Sequence, residues 1–147
     1  MHESSLLLDT HAWIWLAEGI PDKLSRSCLD RIRVAGREQR LLVSAISVWE
    51  VAMLDFKGRI SLSESCLHWV YRGLGEYGIE LAELAPEIAI DSARLPDNFH
   101  ADPADRVLVA TARHRNATLV TADRLILEYS RSGHVRAVDA CSQAAWQ

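Results

Sequence analysis

Four acidic residues have the type and placement to hold a hard cation: Asp9, Glu50, Asp105 and Asp123. Asp9 ends the apolar run Ser5-Leu6-Leu7-Leu8. Glu50 follows the run Leu41-Leu42-Val43-Ser44 within a helical stretch. Asp105 stands at the start of a helix that leads into Thr118-Leu119-Val120-Thr121, and Asp123 lies just past that run. Unpaired carboxylates gathered in one cleft repel one another, which raises their pKa values. A divalent cation removes that cost, and Mg²⁺ and Mn²⁺ take oxygen ligands. Mg²⁺ (or Mn²⁺) is therefore the expected cofactor, and neither His nor Cys is needed to bind it.

Each acid also has a plainer reading. Asp9 fits the N-cap of the helix behind it. Ser47 and Glu50 fit a capping box. In Asp102-Pro103-Ala104-Asp105 the first acid fits an N-cap, the proline a first helical position, and the second acid a favourable charge at the helix start. Asp123 sits in the same kind of place. Capping alone explains less of the set, because Ser, Thr and Asn cap helices as readily as Asp does.

The elements that must position these acids follow from periodicity. Short apolar runs predict strands over 6–9, 41–44, 79–81, 118–121 and 135–138. Helical spacing predicts helices over 10–18, from an Asp22 N-cap to Gly36, from 47 through 54 with a stop at Gly58, and over 61–74, 86–94, 102–115 and 123–129. Strands that alternate with helices imply a parallel sheet covered on both faces. Such a sheet places the starts of its crossover helices near the C-terminal ends of its strands, where α/β proteins bind ligands.

Bulk properties bound the rest. The 147 residues suit one domain, 1–147. Hydrophobic residues make up 49 %, and no apolar run reaches the length of a membrane span. The stretch Met1-His2-Glu3-Ser4-Ser5 lacks the features of a signal peptide, so a cytoplasmic protein with no membrane partner is expected. Cys28, Cys66 and Cys141 are odd in number and widely spaced, which argues against a disulfide framework or a thiolate zinc site. The net charge of −4 does not mark a strong nonspecific nucleic-acid binder. Without the four ligand acids, however, 16 acids balance 16 bases, so the acidic excess is local.

The order of motifs resembles the PIN-domain family and, within it, the VapC-type toxins of bacterial toxin–antitoxin pairs. The matching stretches are Leu6-Leu7-Leu8-Asp9-Thr10-His11, Ser44-Ala45-Ile46-Ser47-Val48-Trp49-Glu50-Val51-Ala52 with Lys57-Gly58-Arg59-Ile60, and His100-Ala101-Asp102-Pro103-Ala104-Asp105-Arg106. The last leads through Ala110-Thr111-Ala112 to Leu119-Val120-Thr121-Ala122-Asp123-Arg124. The resemblance spans nearly the whole chain. It implies a three-layer α/β/α fold around a parallel sheet of four to five strands. It also implies a metal-dependent endoribonuclease acting on RNA phosphodiester bonds.

In that pattern Asp9, Asp105 and Asp123 match direct metal ligands. Glu50 is a ligand through water or orients the attacking water. Thr10 and Thr121 match the small hydroxyl residues beside the acids and are expected to contact the substrate. Two positions depart from the family: Met53 where relatives often carry lysine, and Ala104 where many carry an aromatic. The resemblance further implies a cognate antitoxin whose C-terminal segment covers the active site, and a homodimer.

Arg106 and Arg124 are candidates to bind the RNA backbone, with Arg113 and Arg115 nearby; His11 and His100 flank the acids. Trp13 and Trp15 cannot share one helix face, so one of them is expected in a partner groove. Rival functions fit less well. A phosphatase-type sheet would want Asp-x-Asp after its first strand, and a nucleotide site would want a glycine-rich phosphate loop. A catalytically silent RNA- or antitoxin-binding module of the same fold has no need of all four acids.

Overall fold

A computed structural model describes residues 3–100 and 102–146. Met1, His2, Ala101 and Gln147 lie outside the described residues, and with them the expectation for the N-terminal stretch, the alanine of the third motif and the two ends of the 1–147 domain. The element order is β1 (Ser5–Leu8), α1 (Thr10–Glu18), α2 (Arg26–Arg37), β2 (Leu41–Ser44), α3 (Ala45–Phe56) and α4 (Cys66–Gly75). Then come β3 (Glu80–Ala82), α5 (Pro86–Ala93), α6 (Pro103–His114), β4 (Ala117–Thr121), α7 (Arg124–Ser130) and β5 (Arg136–Asp139). Short 3₁₀ turns lie at Pro96–Asn98 and Ala144–Trp146.

The five strands form one parallel sheet in the order β3-β2-β1-β4-β5. Leu8 pairs with Val43 on one side and with Val120 on the other. Side chains alternate across a strand, so neighbours in sequence enter different layers. Leu8, Leu41, Val43 and Val120 join Trp13, Ile32 and Trp69 in one core cluster. Leu7, Leu42 and Leu119 join Ile88, Leu108 and Ile126 in the other. One face is thus covered by α1, α2 and α4 and the other by α5, α6 and α7, the expected three-layer arrangement.

Three helix starts differ from expectation. The second helix begins after Ser25, whose Oγ accepts from the Cys28 N–H at 3.0 Å; Asp22 instead takes a left-handed conformation at φ 65° in the preceding turn. The fourth helix begins after Ser65 rather than at Ser61, with Ser65 Oγ accepting from His68 N–H at 3.2 Å. In both cases several cap-competent residues compete in one stretch. For α3, Ser44 is the N-cap and accepts from the Ile46 N–H at 3.1 Å. The capping box at Ser47 and Glu50 is therefore not formed, and both side chains are released for other contacts. Among the described residues no helix is long and apolar enough to cross a membrane.

Candidate active site

The strand order reverses its direction of growth at β1, between β2 and β4. A crevice opens there beyond the C-terminal ends of the strands, the place where such sheets bind ligands. A cleft of about 330 Å³ occupies it, lined by Asp9, Thr10, His11, Trp15, Glu50, Asp102, Asp105, Leu108, Ala122 and Asp123. All four acids singled out from the sequence reach this cleft. Asp102, expected only as a cap, joins them as a fifth.

Helix capping and cleft formation turn out to be compatible. Asp9 Oδ1 accepts from the Ala12 N–H at 2.8 Å. Asp102 Oδ1 accepts from the Ala104 N–H at 3.0 Å, and Asp123 Oδ1 from the Leu125 N–H at 2.8 Å. Each cap uses Oδ1, which leaves Oδ2 of Asp102 and Asp123 open to the cleft, whereas Oδ2 of Asp9 takes a second donor. Asp105 sits in the first turn of α6 and Glu50 one turn into α3, and neither is a cap.

Hydroxyl groups hold two of the acids in place. Thr121 is fully buried, donates its proton to Asp9 Oδ2, and accepts from the Asp123 N–H at 3.0 Å. One side chain thereby ties the ends of β1 and β4 together. Thr10, also buried, donates to Glu50 Oε1, and its Oγ1 lies 2.8 Å from the Ser47 Oγ. A hydroxyl has a single proton, so a Thr10 that donates to the carboxylate leaves Ser47 to donate to Thr10. Ser47 thus supports the site at one remove, a role that only its release from the capping box permits.

Electrostatics show how crowded the cleft is. Burial pushes the Asp9 carboxyl up, against the lowering effect of its bonds from Thr121 and Ala12. Burial likewise raises Glu50, opposed by Thr10 and reinforced by Asp102. Asp105 is pushed up to about 7, first by burial and then by the charges of Asp102, Asp123, Glu50 and Asp9. Its neighbour His100 lies with Nε2 3.2 Å from Asp105 Oδ2. The Asp102 N–H points at His100 Nδ1 at 3.3 Å, so Nδ1 is the acceptor and Nε2 bears the proton that faces Asp105. The pair lacks the alignment of a full hydrogen bond.

The donor set fits a hard divalent ion: it is all oxygen, negatively charged and costly to leave uncompensated. Among the described residues no three His, Cys, Asp or Glu side chains lie close enough together to form a ready-made metal-holding group.

The expected substrate contacts Arg106, Thr121 and Arg124 have the following surroundings. Arg106 does not line the cleft. Its Nε donates to the Ser92 carbonyl at 2.7 Å and its Nη1 to the Phe99 carbonyl at 2.8 Å, which pins the 92–100 segment to α6. Thr121 is shut away from solvent and acts on Asp9 instead. Arg124 lines a separate cavity of about 610 Å³ together with Arg131. Farther away, Arg113 pairs with Asp91 at 2.9 Å and Arg115 pairs with Glu80. Of the two helix-one tryptophans, Trp13 is buried against Trp69 and Trp15 forms part of the cleft wall. Sequence reasoning missed Asp102 and Ser47 as parts of the site. Asp102 lies three residues before Asp105, the spacing of one helix face, and that was the available signal.

Comparison with known proteins places this architecture. The PIN domain model matches residues 6–131. The chain is 38 % identical over 122 residues to Ribonuclease VapC22 of Mycobacterium tuberculosis, covering 82 % of this chain and 88 % of that protein. Among solved structures, a DNA-bound VapBC from Salmonella typhimurium superposes with a TM-score of 0.67 at 19 % identity, over 95 % of this chain and 100 % of that one. VapBC2 from Rickettsia felis, bound to a DNA fragment from its promoter, gives 0.68 at 14 % identity, over 91 % and 97 % of the two chains.

Proposed function

The chain belongs to the PIN domain family, and from that premise we propose that it is a metal-dependent endoribonuclease that hydrolyses RNA phosphodiester bonds as the toxin of a toxin–antitoxin pair. The observation that carries this reading is the convergence of Asp9, Glu50, Asp105 and Asp123 on one cleft at the β1/β4 switch point. Kinship to a ribonuclease supports the reaction class.

Asp9, Asp105 and Asp123 would hold Mg²⁺ or Mn²⁺ through their carboxylate oxygens. Bound there, a divalent ion polarises the phosphoryl group and lowers the pKa of a coordinated water. The chain's own residues do the remaining work. Thr121 fixes the Asp9 carboxylate and, through the Asp123 backbone, the spacing of two ligands. Ser47 and Thr10 aim Glu50 at the cleft, where it orients the attacking water or binds the ion through one. The His100 ring restrains Asp105 from the other side. Buried carboxylates without a partner are unfavourable, so ion binding also relieves a cost built into the fold.

The remaining assignments follow the same premise. The chain works as one PIN-like domain over residues 1–147 in the cytoplasm. It pairs with a cognate antitoxin, a reading its VapBC neighbours support, and with a second copy of itself. The test is cleavage of total RNA by the purified, antitoxin-free protein with Mg²⁺ or Mn²⁺, with EDTA, and beside Asp105→Asn. Discrete products that require both metal and Asp105 establish the reading. Absence of cleavage by folded protein points to the silent binding module.

A further inference from the structure

The cleft poses an electrostatic problem for the proposed substrate. Five carboxylates line it, and RNA is a polyanion. Arg106 is committed to backbone carbonyls, and Arg40, Arg72, Arg113 and Arg115 are paired with acids. Groups at the cleft wall that attract something other than the phosphate being cut add affinity there.

The wall formed by α1 supplies them. Trp15 is half-buried, with part of its ring system packed on the core and part open to the cleft beside the acids. His11, one turn earlier, is exposed; its ring centre is 6.2 Å from that of Trp15 with the planes tilted by 49°. Lys23 Nζ lies over the Trp15 ring, 5.6 Å from its centre. An indole anchored at one edge is rigid, so it gives up little entropy when a flat ligand settles on it.

We propose that Trp15 is a stacking platform for one unpaired base of a single-stranded RNA, that His11 flanks this base, and that Lys23 attracts its phosphate. This rests on the ribonuclease reading and adds to it a substrate class: unpaired RNA with a base splayed beside the scissile bond. Aromatic stacking is sequence-tolerant and strong enough to offset a repulsive cleft. A base inside a duplex cannot leave its own stack without loss, so paired RNA is disfavoured.

The test compares two probes on Asp105→Asn protein with Mg²⁺, in which RNA is bound without being cut. One probe is a short oligoadenylate and the other a ribose-phosphate oligomer of the same length without bases. With Trp15 present, oligoadenylate should bind about ten-fold more tightly than the abasic oligomer. Trp15→Leu should abolish that preference and Trp15→Phe should keep most of it. Lys23→Ala should weaken both probes alike. In the cleaving protein Trp15→Leu should raise KM about ten-fold with little change in kcat.

Thermal melts check folding, and Trp15→Met carries the same test if the leucine variant does not fold. A preference that survives Trp15→Leu, or that is absent with Trp15 in place, overturns the proposal. So does a Trp15→Leu protein that binds RNA normally but loses a protein partner. If wild-type protein cuts RNA while showing no base preference, only the stacking site falls. If it neither cuts nor binds RNA with either metal, the ribonuclease reading falls first.

Discussion

Thr121 donates a hydrogen bond to Asp9 across 112 residues of sequence, joining the ends of two adjacent parallel strands. The same oxygen accepts from the backbone of Asp123 at 3.0 Å. The separation of two proposed ligands is thus set by one buried hydroxyl.

Removing that hydroxyl should disturb the fold and the ion site together. Thr121→Val preserves the shape of the side chain but leaves a buried carboxylate short of a donor, at a cost of about 1–3 kcal/mol. Thr121→Ser should restore both stability and Mn²⁺ affinity. Urea denaturation and Mn²⁺ titration measure the two effects. A valine variant with unchanged Mn²⁺ affinity would remove Thr121 from the ion site.

Asp105 makes the metal-free protein sensitive to pH. Its folded pKa, about 7, lies above the ordinary 3.8, so between those values the folded state binds more protons than the unfolded state. The stabilisation is complete below about pH 4 and is lost as pH rises through about 7. Mg²⁺ affinity should run the other way, rising over the same window, because the ion competes with the proton. Chemical denaturation across pH in EDTA checks the first trend, and Asp105→Asn should flatten it.

Asp102 permits cap and charge to be separated. Asn caps a helix about as well as Asp, so Asp102→Asn should leave α6 intact. It removes the largest of the charges acting on Asp105, so the pH midpoint of Mg²⁺ binding should move to lower pH. Titrations at several pH values read this directly; an unmoved midpoint would show that Asp102 does not act on its neighbour.

Arg106 and Arg124 should behave in opposite ways. Arg106→Ala leaves part-buried carbonyls at Ser92 and Phe99 without their donor, so it should lower the melting temperature. It should leave the salt dependence of RNA binding unchanged. Arg124→Ala should leave melting unchanged and, if the neighbouring cavity carries RNA backbone, should reduce the salt slope by about one. Equal salt slopes for the two variants would refute this division.

Much of the fold could be read from the chain because strand and helix signals alternate cleanly. Leu7 and Leu8 enter opposite layers for the simple reason that strand side chains alternate. Helix starts were harder. Ser61, Ser63 and Ser65 are all competent caps, and the chain uses the last, whose Oγ accepts from the His68 N–H. The acids were legible by type and order, but the roles around them depended on contacts distant in sequence. Nothing local to Arg106 reveals that its partners are carbonyls at 92, 99 and 100. Nothing local to Ser47 reveals that Ser44 would take the cap and free it for Thr10.

The double duty of Asp9, Asp102 and Asp123, each a helix cap that also lines the cleft, has a bearing on how this protein can change over generations. A lineage that abandons cleavage still needs something at those three positions to start its helices, so Asp, Asn or Ser should persist there. Glu50 and Asp105 start no helix and burden the metal-free fold. Disuse should therefore erase positions 50 and 105 first, and a relative retaining only the capping acids has the pattern of a retired enzyme.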